Sequence, residues 1–277
     1  MNTTIVMKLR LYAITAIACL VVAFTPTARG ATMAIGWNSW LNWWEIPEEN
    51  MEQHYVDIDF NVFANFLNGP VLSLQITPRW GLSAMFIFGF YDSAALFENY
   101  DYTIWRFDLD TTATYAFTSW FRLYFGFKYL RYTWDYDYDN GGWGDTTLRK
   151  KLTTVSDNFA PGLGCVFTIP LYKSLYFSLS LGSLFSFTVM DQDYKITNYE
   201  TDSITYRYSD DYFGYEAGLN SKLSLCYDAI FINTIFTTGF RYQVFFYFFD
   251  NGGKIKYSDR VDHMYGIDVM TIFYFDI

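Results

Sequence analysis

From about residue 54 onward this chain alternates apolar and polar side chains with a period of two, stretch after stretch. Val56, Ile58, Phe60 and Val62 alternate with Asp57, Asp59 and Asn61, and Leu72, Leu74 and Ile76 with Ser73, Gln75 and Thr77. Leu82 to Tyr91 continues the series. Trp105, Phe107 and Leu109 alternate with Arg106, Asp108 and Asp110, and Phe121, Leu123, Phe125 and Phe127 with Arg122, Tyr124, Gly126 and Lys128. Successive side chains of a strand point to opposite faces, so each stretch reads as a strand with one greasy and one mixed face. Further stretches near 159–169, 175–182, 215–225, 230–241 and 261–277 bring the expected number of strands to ten, and eight or twelve also fit. Most have the roughly 9–11 residues a tilted bilayer-spanning strand needs. No charge falls in the middle of an apolar set; Arg131 and His263 share its parity near expected strand ends.

The connections alternate in length. Turns near 78–81, 117–120, 170–174 and 227–229 have three to five residues, whereas loops near 92–102, 135–152, 190–211 and 248–260 have 11 to 22. Short turns at one end and long loops at the other belong to a membrane barrel. A soluble lipocalin-like barrel would carry its apolar residues inside. The expected fold is all-β: a closed antiparallel transmembrane barrel, which has no unpaired edge in hydrocarbon. Asn68-Gly69 reads as a tight-turn signal.

The last stretch, Val261 to Ile277, alternates to the final residue, with Phe273, Phe275 and Ile277 on the apolar face. It resembles the terminal strand of bacterial outer-membrane β-barrel proteins, the small OmpA- or OmpW-like class. In that family the alternating apolar residues close on an aromatic that the barrel-assembly machinery recognises. Ile277 departs from the usual terminal Phe or Trp. The resemblance covers roughly residues 52–277 and implies partners in outer-membrane lipid and the assembly machinery, with the barrel as a monomer.

Residues 1–30 read as a secretory signal: Lys8 and Arg10, an apolar run from Leu11 to Phe24, and a small-residue site at Ala28-Arg29-Gly30. The 14-residue run is too short to span a bilayer. A lipidated Cys19 and an uncleaved anchor are the alternatives. Residues 31–51 read as an N-terminal periplasmic or interfacial segment, because Trp37, Trp40, Leu41 and Trp44 have helical spacing before Pro47. An extra strand is the alternative there. The barrel is then expected over 52–277, in a bacterial outer membrane.

Aromatics make up 22% of the chain, beyond what a soluble core needs and suited to interfacial girdles. The net charge is −10, and three units more negative if Lys8, Arg10 and Arg29 are removed. Nucleic acid is therefore not an expected partner.

Charged residues on the mixed faces are the candidate site. Asp108, Asp110, Arg122, Lys128, Glu216, Lys222, Arg241 and Asp268 point into the expected lumen, where opposite charges across a ladder attract. A turn at 117–120 brings Asp108 and Asp110 near Lys128, and a turn at 227–229 sets Glu216 opposite Arg241. Catalytic residues, metal and cofactor are not expected. An omptin-like rim protease would need carboxylate pairs that His54 and His263 do not have clearly opposite them. The segment Asp135 to Gly141 resembles a calcium loop, but its glycine comes one residue late and Thr146 stands where a glutamate is needed. Cys165 and Cys226 fall on opposite faces, so no disulfide is expected. The leading function is a non-enzymatic barrel whose acidic, Tyr-rich loops serve surface contact or membrane integrity, with an unknown extracellular ligand. The alternative is a narrow passive pore for ions or small solutes, and a rim-site hydrolase is a third reading.

Overall fold

The computed structural model describes residues 31–45, 63–92, 100–139, 148–198, 203–250 and 255–277. Ten strands run in chain order: β1 Thr32–Glu45, β2 Phe63–Gln75, β3 Trp80–Asp92, β4 Tyr100–Ala116, β5 Phe121–Asp139, β6 Leu148–Tyr172, β7 Leu175–Asn198, β8 Ser203–Ala229, β9 Thr234–Asp250 and β10 Ile255–Asp276. Each pairs antiparallel with its sequence neighbour, and β1 pairs with β10 from Thr32↔Asp276 to Glu45↔His263, closing the barrel. No helix among the described residues is long and apolar enough to cross a membrane.

Two sequence expectations change here. The barrel begins at Thr32 and not at residue 52, because the segment expected at the interface is β1. Its Trp residues fall on both faces: Trp37 points outward while Trp40 and Trp44 are buried in the lumen. That mixture produced a helical spacing without a helix. The stretch expected as the first strand, residues 54–62, lies outside the described residues, as do residues 1–30, so ten strands stand with a different first member. Asn68-Gly69 is not a turn but lies within β2, facing Ser39 and Asn38. Glycine is required at 69 because a Cβ there would strike the carbonyl of Phe86. Pro70 beside it has no N–H to give, and the pairing to β3 skips from Asn68↔Phe88 to Val71↔Met85.

The short connections are real turns at one end. The fourth differs from expectation: the chain turns through a 3-10 segment at Ile230–Ile232, with Asn233 at φ 50° and ψ 47°, a left-handed conformation asparagine tolerates. At the other end the strands run on past the expected loop boundaries. β7 and β8 stay paired to Asn198↔Ser203, so most of the expected 190–211 loop is hairpin, and Asp135 to Asp139 belong to β5. Arg131 and His263 are thus within strands, not at their ends.

The outward face of β7 shows where an apolar environment stops. On the outward parity of β7, Phe177, Leu179, Leu181, Phe185 and Phe187 are followed by a buried Val189 and then by Asp191 and Asp193, with Ser183 the one polar residue inside the run. That apolar span is about 30 Å tall for a strand rising ~3.4 Å per residue at a tilt of ~40°. On β5 and β6 the same boundary carries Arg131 opposite Asp157, 3.6 Å apart, with the Tyr129 hydroxyl donating to Asp157 at 2.5 Å. Beyond it Arg207 forks onto Asp193 at 3.0 and 2.9 Å. That hydrogen-bonded guanidinium holds the Asp193 carboxyl below the usual carboxylate range.

Closure rests on the final strand. Removing residues 273–277 strips the pairs from Thr32↔Asp276 to Ile35↔Phe273 and leaves the lower part of β1 with one neighbour. Unpaired backbone in hydrocarbon costs several kcal/mol per group, so this truncation is expected to abolish heat-resistant folded barrel on a gel-mobility assay.

Candidate functional site

The lumen has two halves. Toward the long-connection end it is filled. Trp40 and Trp44 from β1, Leu67 from β2, Ile87 from β3, Ile104 from β4 and Leu130 and Tyr132 from β5 pack against Phe245, Tyr247 and Met264 from β9 and β10. All are inward-facing members of their strands, so the mixed face is apolar here. Trp44 packs at a tilt against Tyr132 and meets Trp134 edge-on, with ring centroids 5.4 and 5.5 Å apart.

Beneath this layer lies a chain of charges. Arg106 grips Asp108 with two hydrogen bonds, Nε to Oδ1 at 2.8 Å and Nη2 to Oδ2 at 2.7 Å. Lys128 bridges Asp108 at 3.0 Å and Asp110 at 2.9 Å, and Arg241 reaches Asp110 at 3.5 Å. Trp40 holds the two guanidinium groups together: Arg106 lies 5.4 Å and Arg241 4.6 Å from its ring centroid. Tyr132 takes the Arg106 cation from another side at 5.5 Å. Arg106, Asp108 and Lys128 are each no more than 2% exposed. Such charges persist out of water only when partnered, and here each cation has an acid or a π face. Together the two layers form a septum across the barrel.

Toward the short-turn end the lumen opens into a cavity of about 440 Å³. Its ceiling is the septum. Val71, Met85, Met270 and Ile272 give it an apolar wall, and Tyr124, Ser180 and Asn220 a polar one. The Tyr124 ring lies over Gly164 and Gly182, which face each other across β6 and β7. A Cβ at either glycine would overlap the phenol. Gly182→Val is therefore expected to drive Tyr124 into the cavity and cost about 1–3 kcal/mol, read from denaturant unfolding in lipid vesicles.

The eight lumen residues singled out in the sequence fall unevenly. Asp108, Asp110, Lys128 and Arg241 meet in the septum, and Lys222 pairs with Asp268 at its lower edge. Arg122 lies apart, exposed near the short-turn end. Glu216 does not face Arg241. It stands opposite Tyr247 and accepts a hydrogen bond from Thr188 at 2.6 Å, while Arg241 stands opposite Lys222. The register shift follows from the turn: the chain reverses after Ala229↔Thr234, three residues later than expected. Sequence reasoning missed Arg106 and Trp40. Arg106 has the lumen parity of Asp108, and that parity is the signal that finds it.

Of the terminal residues, Phe273 and Phe275 face outward on β10 beside Ile35 and Met33 of β1, and Ile277 donates its N–H to the Ala31 carbonyl. Cys165 and Cys226 are free thiols. His263 faces out and hydrogen-bonds Tyr242 at 2.8 Å. Among the described residues no group of three or more His, Cys, Asp or Glu side chains is placed to hold a metal.

No protein-family model and no curated protein sequence matches the chain. Among solved structures it is similar to the outer membrane protease OmpT from Escherichia coli, at 12% identity over 91% of this chain and 98% of that one, with a TM-score of 0.42. It is also similar to the translocator domain of the autotransporter NalP from Neisseria meningitidis, at 9% identity over 98% and 95% of the two chains, with a TM-score of 0.42. A major outer membrane protein from Thermus thermophilus gives 11% identity, 88% and 99% coverage and a TM-score of 0.39. None of these likenesses assigns an activity.

Proposed function

We propose that the chain is an integral outer-membrane β-barrel of the small OmpA- or OmpW-like class, closed to solutes and without enzymatic activity. Its part is surface contact or envelope integrity, through the acidic, Tyr-rich end of the barrel. It inserts through the barrel-assembly machinery and works as a monomer in lipid. The single observation that carries this reading is the septum. Charge pairs and aromatics fill the middle of the lumen, with side chains no more than 2% exposed at Trp40, Arg106, Asp108 and Lys128, and this supports a closed barrel. The apolar outer face of β7, ending at Asp191, supports the membrane setting, since a soluble barrel would not expose Phe185 and Phe187. The polar projection of β7 and β8 beyond that face supplies a surface for contact. Orientation follows the usual rule, with short turns on the periplasmic side.

The second reading is a narrow passive pore, favoured by the cavity that already hollows the lower half. Planar-bilayer recording separates the two. Purified protein is expected to stay at the bilayer baseline in 1 M KCl; steady porin-like conductance steps overturn the closed-barrel reading. A screen for peptide and phospholipid hydrolysis is expected to show no turnover, and turnover abolished by a point substitution of a rim residue removes the non-enzymatic part.

A further inference from the structure

The cavity below the septum has a charge opposite to that of the protein. Its lining carries Arg122, Lys128, Lys222 and Arg241 against Asp110 and Asp268, two positive charges in excess within a chain of net charge −10. Directly above it, Arg106 and Asp108 cancel each other. A pocket with low-dielectric walls focuses such an excess charge. Each acid already has a cation of its own: Asp110 has Lys128 and Arg241, and Asp268 has Lys222 on one of its two oxygens. Arg122 is different. It is exposed, it lines the cavity near its open end, and it has no ion-pair partner among the described residues. A guanidinium in that position presents its planar fork to a carboxylate.

The rest of the cavity selects the body that the carboxylate is attached to. Val71 and Met85 on one side of β1, and Met270 and Ile272 on the other, form a continuous apolar wall. Two methionines make that wall adaptable in shape. The volume lies within the range of small-molecule pockets, and an apolar lining with a few fixed polar groups is their usual chemistry. We propose that this cavity binds a small monocarboxylate with an apolar, aromatic or short aliphatic body, entering from the short-turn end. Its carboxylate pairs with Arg122 and its body lies against the apolar wall. The site goes beyond the structural role proposed above and does not depend on it, because a ligand can occupy the cavity whether or not the septum leaks.

The test uses the full chain in lipid nanodiscs and three probes: benzoate, with both features; benzyl alcohol, with the apolar body alone; and acetate, with the charge alone. Titration calorimetry and ligand-observed saturation-transfer NMR are expected to show benzoate binding about tenfold tighter than either partial probe, beyond the background of empty nanodiscs. Arg122→Gln is expected to weaken benzoate about three- to tenfold and leave benzyl alcohol unchanged, with Arg122→Glu weaker still. Arg122 is exposed, so these variants keep the fold, and gel mobility checks that. Benzoate no tighter than benzyl alcohol reduces the cavity to unspecific partitioning and overturns the proposal. So does benzoate binding that both Arg122 variants leave intact, or the absence of any benzoate signal. Bilayer conductance reads the closed-barrel proposal separately, so each can fail alone.

Discussion

Replacing Asp108 with alanine is expected to destabilise the folded barrel by about 3–5 kcal/mol, the usual result of breaking a buried ion pair from one side. Asp108 is fully buried and accepts from both Arg106 and Lys128. Without it, Lys128 keeps Asp110, while Arg106 loses its two-point grip on a buried carboxylate and keeps its contacts with the faces of Trp40 and Tyr132 and with Gln243. Denaturant unfolding in lipid vesicles, followed by tryptophan fluorescence, measures the loss. The double variant Asp108→Leu with Arg106→Met is expected to recover most of it, because an apolar pair of similar volume has no charge to desolvate. A single variant within about 0.5 kcal/mol of wild type contradicts the charge chain described for the septum, since that is the size of an ordinary surface substitution.

Trp40→Ala is expected to have the other large effect, and on two readouts. Truncating a buried tryptophan costs about 3–5 kcal/mol. Trp40 is also the ring between two guanidinium groups, and it borders both the apolar layer and the charge chain. Its loss opens a gap through the septum above the existing cavity. The variant is expected to pass small ions across a planar bilayer where wild type does not, and the added conductance is expected to favour anions because Arg106 and Arg241 then face the gap. If Trp40→Ala folds and remains electrically silent, the block lies elsewhere in the lumen.

The barrel itself was legible in the sequence because lipid imposes a strict rule on the outer face. Ile267, Val269, Phe273 and Phe275 stand out on β10 as exposed apolar residues of one parity. The lumen obeys no such rule. Where it is filled by side chains it accepts Trp, Leu and Ile, and the alternation flattens; β1 and the first half of β2 are hard to read for that reason. The partnership of Asp108, Asp110 and Lys128 was within reach because a short turn fixed the register of β4 and β5. The sequence misaligns Glu216 and Arg241 because Ile230-Phe231-Ile232 turns without Gly or Pro, so the reversal reads three residues early. The extent of β7 and β8 was hidden for a related reason: above the apolar belt both faces of a hairpin are wet, and a polar strand looks like a loop.

The mixed character of β1 has a consequence for how the cylinder is sealed. A slip of one residue along β10 would turn every β1 side chain to the opposite face. The indole of Trp40 registers the exchange most. Ser39 or Leu41 would come to stand in its place, and neither has a π face to offer the guanidinium groups of Arg106 and Arg241. One ring thus acts as proofreader of the seam, rejecting a false closure that would take a shared face from two buried cations.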